Sequence, residues 1–278
     1  MLEQARSLQL YVFSKEKDPD YPYGEAKVVT LKELRCHLED YNGKKVRAEG
    51  VIAAEFGHSV YIEDYDTETD SYFGISVYYG FNATPALLEI FKIGNRVSVV
   101  GVVSYFEGNK SYQISGVTRN AFKPNAETNT NLVSAGNTPG FKEVTASDIV
   151  SGTFSVRFVT EKEDEDGNII PEIEDVELDY GEAIMSTSVS VKNLEITKTP
   201  YTTNNGGDSD GAMSITCKAP DGTIITVRTE VLKNADGSLV TAAAYPKGTK
   251  INVKGIIEKF NDQYQVKVYH KDLIEIVG

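Results

Sequence analysis

The 278-residue chain is long enough for two ordinary domains with a core each, and its 40% hydrophobic and 25% charged content excludes wholesale disorder. Its 41 acidic against 28 basic residues leave a net charge of -13, which opposes a general phosphate-binding surface, because such binding relies on Lys and Arg displacing counterions. Only Cys36 and Cys217 are cysteines, without CxxC spacing, and the three histidines form no HExxH pattern, so thiol-redox and four-cysteine zinc chemistry are excluded.

Residues 1–27 are read as an N-terminal extension, with no basic start followed by an apolar run, and no segment of the chain approaches membrane-spanning length. The first predicted element is a helix in "TLKELRCHLEDYNG": Thr30 caps it, Glu33 takes the capping-box position, Leu31, Leu34 and Leu38 recur at helical spacing, and Gly43 stops it. "KKVRAEGVIAAEF", "HSVYIED" and "YFGISVYY" follow as three β-rich runs. "TPALLEIFKIG" puts Leu87, Leu88 and Phe91 on one side of a second helix. "RVSVVGVVSYF" and "SYQISGV" are two further strands across the turn "EGNK".

The order βββ, helix, ββ is that of a five-strand, partly open Greek-key barrel. The series "VRAEGVI … VYIED … GNRVSVVGVV … YQI" resembles bacterial OB-fold domains of exported multidomain proteins, the nucleic-acid-binding-like OB family, over about residues 28–118. The resemblance implies a fold and leaves the function open.

A second copy lies near the C-terminus in "KGTKINVKGIIEKFNDQYQVKV". Gly94 and Gly101 match Gly248 and Gly255; Val97, Val99 and Val102 match Ile251, Val253 and Ile256; Phe106 matches Phe260. Upstream, "SVSVKNLEIT", "GAMSITCKAP" and "TIITVRTEV" fit strands one to three. The expected fold class is therefore all-β with short helices, as two tandem OB-fold five-stranded Greek-key barrels. The first spans residues 28–122, a polar linker rich in Asn, Thr and Gly spans 123–144, and the second spans 145–278 with an acidic insertion at about 161–182.

OB-folds bind oligonucleotides or oligosaccharides across strands two and three. With Val60, Ile62, Ile75 and Val77 inward, alternation places Tyr61, Glu63, Tyr72, Ser76 and Tyr78 on the outer face, where Tyr79, Phe81 and Tyr105 would widen a ligand platform. The competing reading is that these tyrosines cover a half-buried surface packed on the linker or the neighbouring barrel. Glu63, Asp64, Asp66, Glu68 and Asp70 beside the platform repel phosphate, so a protein or glycan is the expected partner and single-stranded nucleic acid the alternative disfavoured by charge. The strands of the second barrel carry no aromatic platform, while Lys218, Arg228, Lys247, Lys250, Lys254 and Lys259 make that half locally more basic, as scattered surface lysines also would.

The acidic loops raise calcium, but in the EF-hand frame "KEDEDG" puts Ile173 and "GGDSDG" puts Cys217 where a bidentate Glu belongs. No cofactor is expected, and calcium in another geometry stays open. No GxSxG elbow, GxxxxGK[ST] loop or deaminase zinc series occurs, and His58 reads as a turn residue, so no enzyme is expected. The expected role is a binding or adaptor module of an exported or cell-surface bacterial protein, with a structural spacer as a further alternative; few cysteines and a Tyr-, Thr-, Asn- and Gly-rich composition carry the expectation of export.

Overall fold

The computed structural model describes residues 25–164 and 168–277; most of the N-terminal extension and the tip of the acidic insertion lie outside them. In chain order the elements are β1 (Lys27–Val28), α1 (Leu31–Cys36), α2 (Leu38–Tyr41), β2 (Lys45–Phe56), β3 (Ser59–Asp66), β4 (Ser71–Tyr78), α3 (Pro85–Ile90), β5 (Arg96–Phe106) and β6 (Ser111–Ser115). There follow β7 (Asn131–Ser134), β8 (Lys142–Glu143), α4 (Ala146–Ser151), β9 (Thr153–Glu163), β10 (Ile169–Asp179) and α5 (Tyr180–Ala183). The chain ends with β11 (Ser188–Ile196), β12 (Tyr201–Thr202), β13 (Met213–Lys218), β14 (Ile224–Thr229), β15 (Lys250–Phe260), β16 (Gln263–Val268) and β17 (Ile274–Val277). The fold is all-β with short helices.

In the first sheet β2-β3-β4-β6-β5 run in order and β5 returns to pair with β2, closing a five-strand barrel of OB type with α3 between its third and fourth strands. The predicted parity holds: Val60, Ile62, Ile75 and Val77 fill its core beside Phe73 and Phe91. Helix α1 caps as expected, with Thr30 Oγ1 accepting from the Glu33 amide. In the other large sheet β11-β13-β14-β16-β15 run in order and β11 pairs with both β13 and β15, so these five strands close as well. In place of α3, the segment between β14 and β15 buries Leu232, Val240 and Tyr245 against this second core.

Gly101 and Gly255 have the same cause. A Cβ on Gly101 would lie 2.5 Å from the Ser115 carbonyl oxygen, and one on Gly255 would lie 2.4 Å from that of Lys267. In each barrel the fourth strand crosses closest to the fifth where only glycine fits.

Two stretches differ from expectation. The segment read as a polar linker is packed: Asn129 is buried with its side chain bonded to Asn120 and Lys123, β7 pairs with β5, and β8 pairs with β11. Its polar residues serve its own backbone, which is how a polar chain can be ordered without a core. The acidic insertion, read as a surface loop, supplies among its described residues the end of β9 and the whole of β10 in an eleven-pair antiparallel hairpin. The hairpin's alternating Phe154, Val156 and Phe158 pack on the first barrel's core, a contact hidden in the sequence by the run of charged residues that follows from Glu161.

Candidate functional site

The face formed by β2 and β3 of the first barrel is occupied. Tyr61 is 7% exposed and joins Ala53, Ala54 and Ile256 in a small apolar cluster with Phe56 and Tyr269, and its hydroxyl donates to Glu258 Oε1 at 2.5 Å. The Phe56 ring stacks on Tyr61 at 4.4 Å, and Tyr269, from just beyond β16, donates to the Ala53 carbonyl at 2.9 Å. Burial first, and the Glu258 carboxylate next, push the Tyr61 phenol well above its ordinary range, so it remains a donor.

Glu63, 1% exposed, belongs to the same contact. Its carboxylate accepts from the Ser188 amide (2.6 Å), the Ser188 hydroxyl (2.8 Å) and the Gly140 amide (2.8 Å). Burial raises its pKa while these bonds pull it down. Buried Arg35 adds a second polar link, donating to the carbonyls of Gly74 and Met185. Gly74 lies so close to this partner that a Cβ would meet the Ser186 carbonyl oxygen at 2.8 Å.

Tyr61 and Glu63 are therefore withdrawn from the expected ligand platform, because strands of the second barrel cover them. Tyr72 is half-buried beneath Gly140, whose added Cβ would meet its ring at 2.2 Å. Ser76 and Tyr78 are half-buried further along β4, and Tyr79 packs on Phe91 at 5.8 Å with its hydroxyl donating to Glu55. Tyr105 is exposed but has the wrong parity: it follows buried Val103 by two residues and pairs with Tyr112, whose own neighbour by two is buried Ile114. It stands on the inward side of the strand, beyond the barrel, and cannot extend a face that carries Ser76 and Tyr78. The tyrosines do not form one surface.

The corresponding face of the second barrel is open along β13 and β14, while on β16 Lys267 turns toward the first barrel, its ammonium over the Phe56 ring at 5.4 Å. Outward on β13 are Ser214, Thr216 and Lys218; opposite them on β14 are Arg228, Thr226 and Ile224; β16 adds Gln265 and Lys267 beside Thr226 and Arg228. Together β13, β14 and β16 hold Lys218, Arg228 and Lys267 and no carboxylate, in a chain with 41 acidic residues. Lys267 is tied to Glu230 at 2.6 Å, whereas the Arg228 guanidinium is held by the hydroxyls of Ser214 (3.1 Å) and Thr203 (2.9 Å). Lys218 and Arg228 have no carboxylate within ion-pair distance among the described residues. Exposed Tyr201 lies at the edge, opposite Ser214.

The open face is legible in "MSITCKAP" and "TIITVRTE" as strands without acidic side chains before the final Glu230, a signal of charge rather than of aromatic content. Of the loops raised for calcium, the second spends its Asp210 carboxylate on the amides of Asn205 and Gly206.

No family model and no curated protein matches the chain. Among solved structures it is similar to a murine DNA binding protein bound with ds DNA, at a TM-score of 0.30 and 7% identity over 83% of this chain and 97% of that one. It is also similar to a deletion mutant of the single-stranded DNA binding protein from Thermus aquaticus, at a TM-score of 0.22 and 10% identity over 84% and 94%. At this level of likeness, what those proteins bind says nothing about this chain.

Proposed function

We propose that the chain is a non-enzymatic binding module whose recognition surface is the outer face of β13 and β14 and whose ligand is a single-stranded nucleic acid. The observation that carries this reading is the charge pattern: Lys218 and Arg228, neither paired with a carboxylate among the described residues, on two adjacent strands that carry no acidic residue in a strongly acidic protein. This is the strand-two and strand-three face on which OB barrels take extended ligands. Lys218 and Arg228 would meet phosphates, the flanking hydroxyls would hydrogen-bond sugar or phosphate oxygens, and Tyr201 offers a ring for one base to stack on.

The net charge of -13 makes the expected binding weak and strongly salt-dependent. The test is fluorescence anisotropy of a labelled single-stranded oligonucleotide at low salt, with wild type and the K218A/R228A double variant. Binding should fall with a log–log salt slope of about -0.7 per phosphate contact, and the double variant should flatten that slope by roughly two contacts. Absence of binding at low salt, or an unchanged slope in the variant, overturns the proposal. Salt-independent binding of a neutral oligosaccharide on the same face would assign the hydroxyl row to a glycan instead.

A further inference from the structure

The β9–β10 hairpin has two unlike faces. Toward the first barrel, Val156 is 1% exposed, Phe154 meets Phe73 edge-on at 5.9 Å, and the Phe158 ring lies 4.9 Å from that of His37. These contacts fix the hairpin on the body of the molecule. On the opposite face Val159 stands directly across from Ile173, with Pro171 and Ile169 next along the same row. Val159, Ile169 and Ile173 are 63%, 62% and 58% exposed. Single exposed hydrophobics need no explanation, but here they line one side of a held two-stranded sheet.

Around this row the charge is predominantly negative. Residues 153–179 hold ten carboxylates against two cations, a net of -8, more than half of the chain's -13. On the apolar face, Glu161 and Glu163 stand across from Pro171 and Ile169, while Arg157 is consumed by Asp175. Such a surface repels nucleic acid, anionic lipid and a second copy of itself. It complements a partner that presents apolar side chains flanked by lysine or arginine.

We infer that the outer face of the β9–β10 hairpin is a docking surface for a basic protein segment that lays an apolar stripe on Val159 and Ile173 and sets its cations against the surrounding carboxylates. The site is distinct from the open strand face of the second barrel and selects the opposite charge.

The test uses the full chain and two short synthetic peptides of equal charge, one alternating lysine with valine and one alternating lysine with serine, in calorimetric titration. The lysine–valine peptide should bind at least about tenfold more tightly than the lysine–serine peptide, the contribution expected from covering a few aliphatic side chains. V159S/I173S should bring the two peptides to equal affinity, and E161K/E163K should abolish binding of both, with far-UV circular dichroism showing both variants folded. Equal binding of the two peptides by wild type, or lysine–valine binding untouched by V159S/I173S, overturns the inference. So does a wild-type dimer in sedimentation that V159S/I173S dissociates, since the occupant would then be a second copy.

Discussion

Replacing Tyr61 separates an interface residue from a ligand-platform residue. Its ring is 7% exposed and stacked on Phe56, and truncating a buried aromatic to alanine costs about 3–5 kcal/mol through lost burial and the cavity left behind. Tyr61→Phe keeps the ring and removes only the hydroxyl that donates to Glu258; a bond to a charged group contributes about 1.5–3 kcal/mol. Glu258 is half-buried, so water can replace the phenol and the low end applies. Tyr61→Ala should therefore lower unfolding stability roughly twice as much as Tyr61→Phe, read from urea midpoints followed by far-UV circular dichroism at constant m. An exposed platform tyrosine would change stability by about 0.5 kcal/mol or less. If Tyr61→Ala stays within that margin of wild type, the packing between the barrels described above is refuted.

Glu63 gives a pH test with an unusual sign. Its carboxyl is raised by burial, so the ionised form is the one the folded state disfavours. The stability it contributes is full below the ordinary carboxyl range and is lost as pH rises through the raised value. Glu63→Gln removes this gradient, so the advantage of wild type over the variant should be larger in mildly acidic than in mildly alkaline buffer, as measured by urea midpoints in each; a gap that widens with rising pH contradicts the assignment. Gly101→Ala and Gly255→Ala should each destabilise by about 1–3 kcal/mol, because the added Cβ collides with a backbone carbonyl of the neighbouring strand. Thermal melts that leave either variant unchanged would show that the strands can move apart there.

The barrel strands were legible because alternation in a five-strand OB barrel is local: Val60 and Ile62, or Ile75 and Val77, declare their face without reference to the rest of the chain. The repeated Gly101 and Gly255 were legible as architecture for the same reason. Period-two reasoning also placed Tyr61 and Glu63 correctly on the outside of the first barrel. It carries no information about what lies against that outside, and here Ser188, Glu258 and Tyr269 arrive from more than a hundred residues away. Tyr105 could have been excluded by counting from Val103. The hairpin was obscured because its packing residues occupy every second position at its base only, while the upper half is dominated by charge. Arg35 gave no signal, since a basic residue on a short helix is ordinarily solvated.

The docking of the second barrel on β2 and β3 also sets a threshold for competition. Phe56, Tyr61 and Glu63 already have an occupant, and it is tethered through residues 118–144. Flexible tethers of short length hold a partner at an effective concentration on the order of millimolar, and a packed segment holds it more firmly. An outside molecule seeking that face must outbid a neighbour that never diffuses away, so the first barrel is, in thermodynamic terms, a receptor saturated by its own chain.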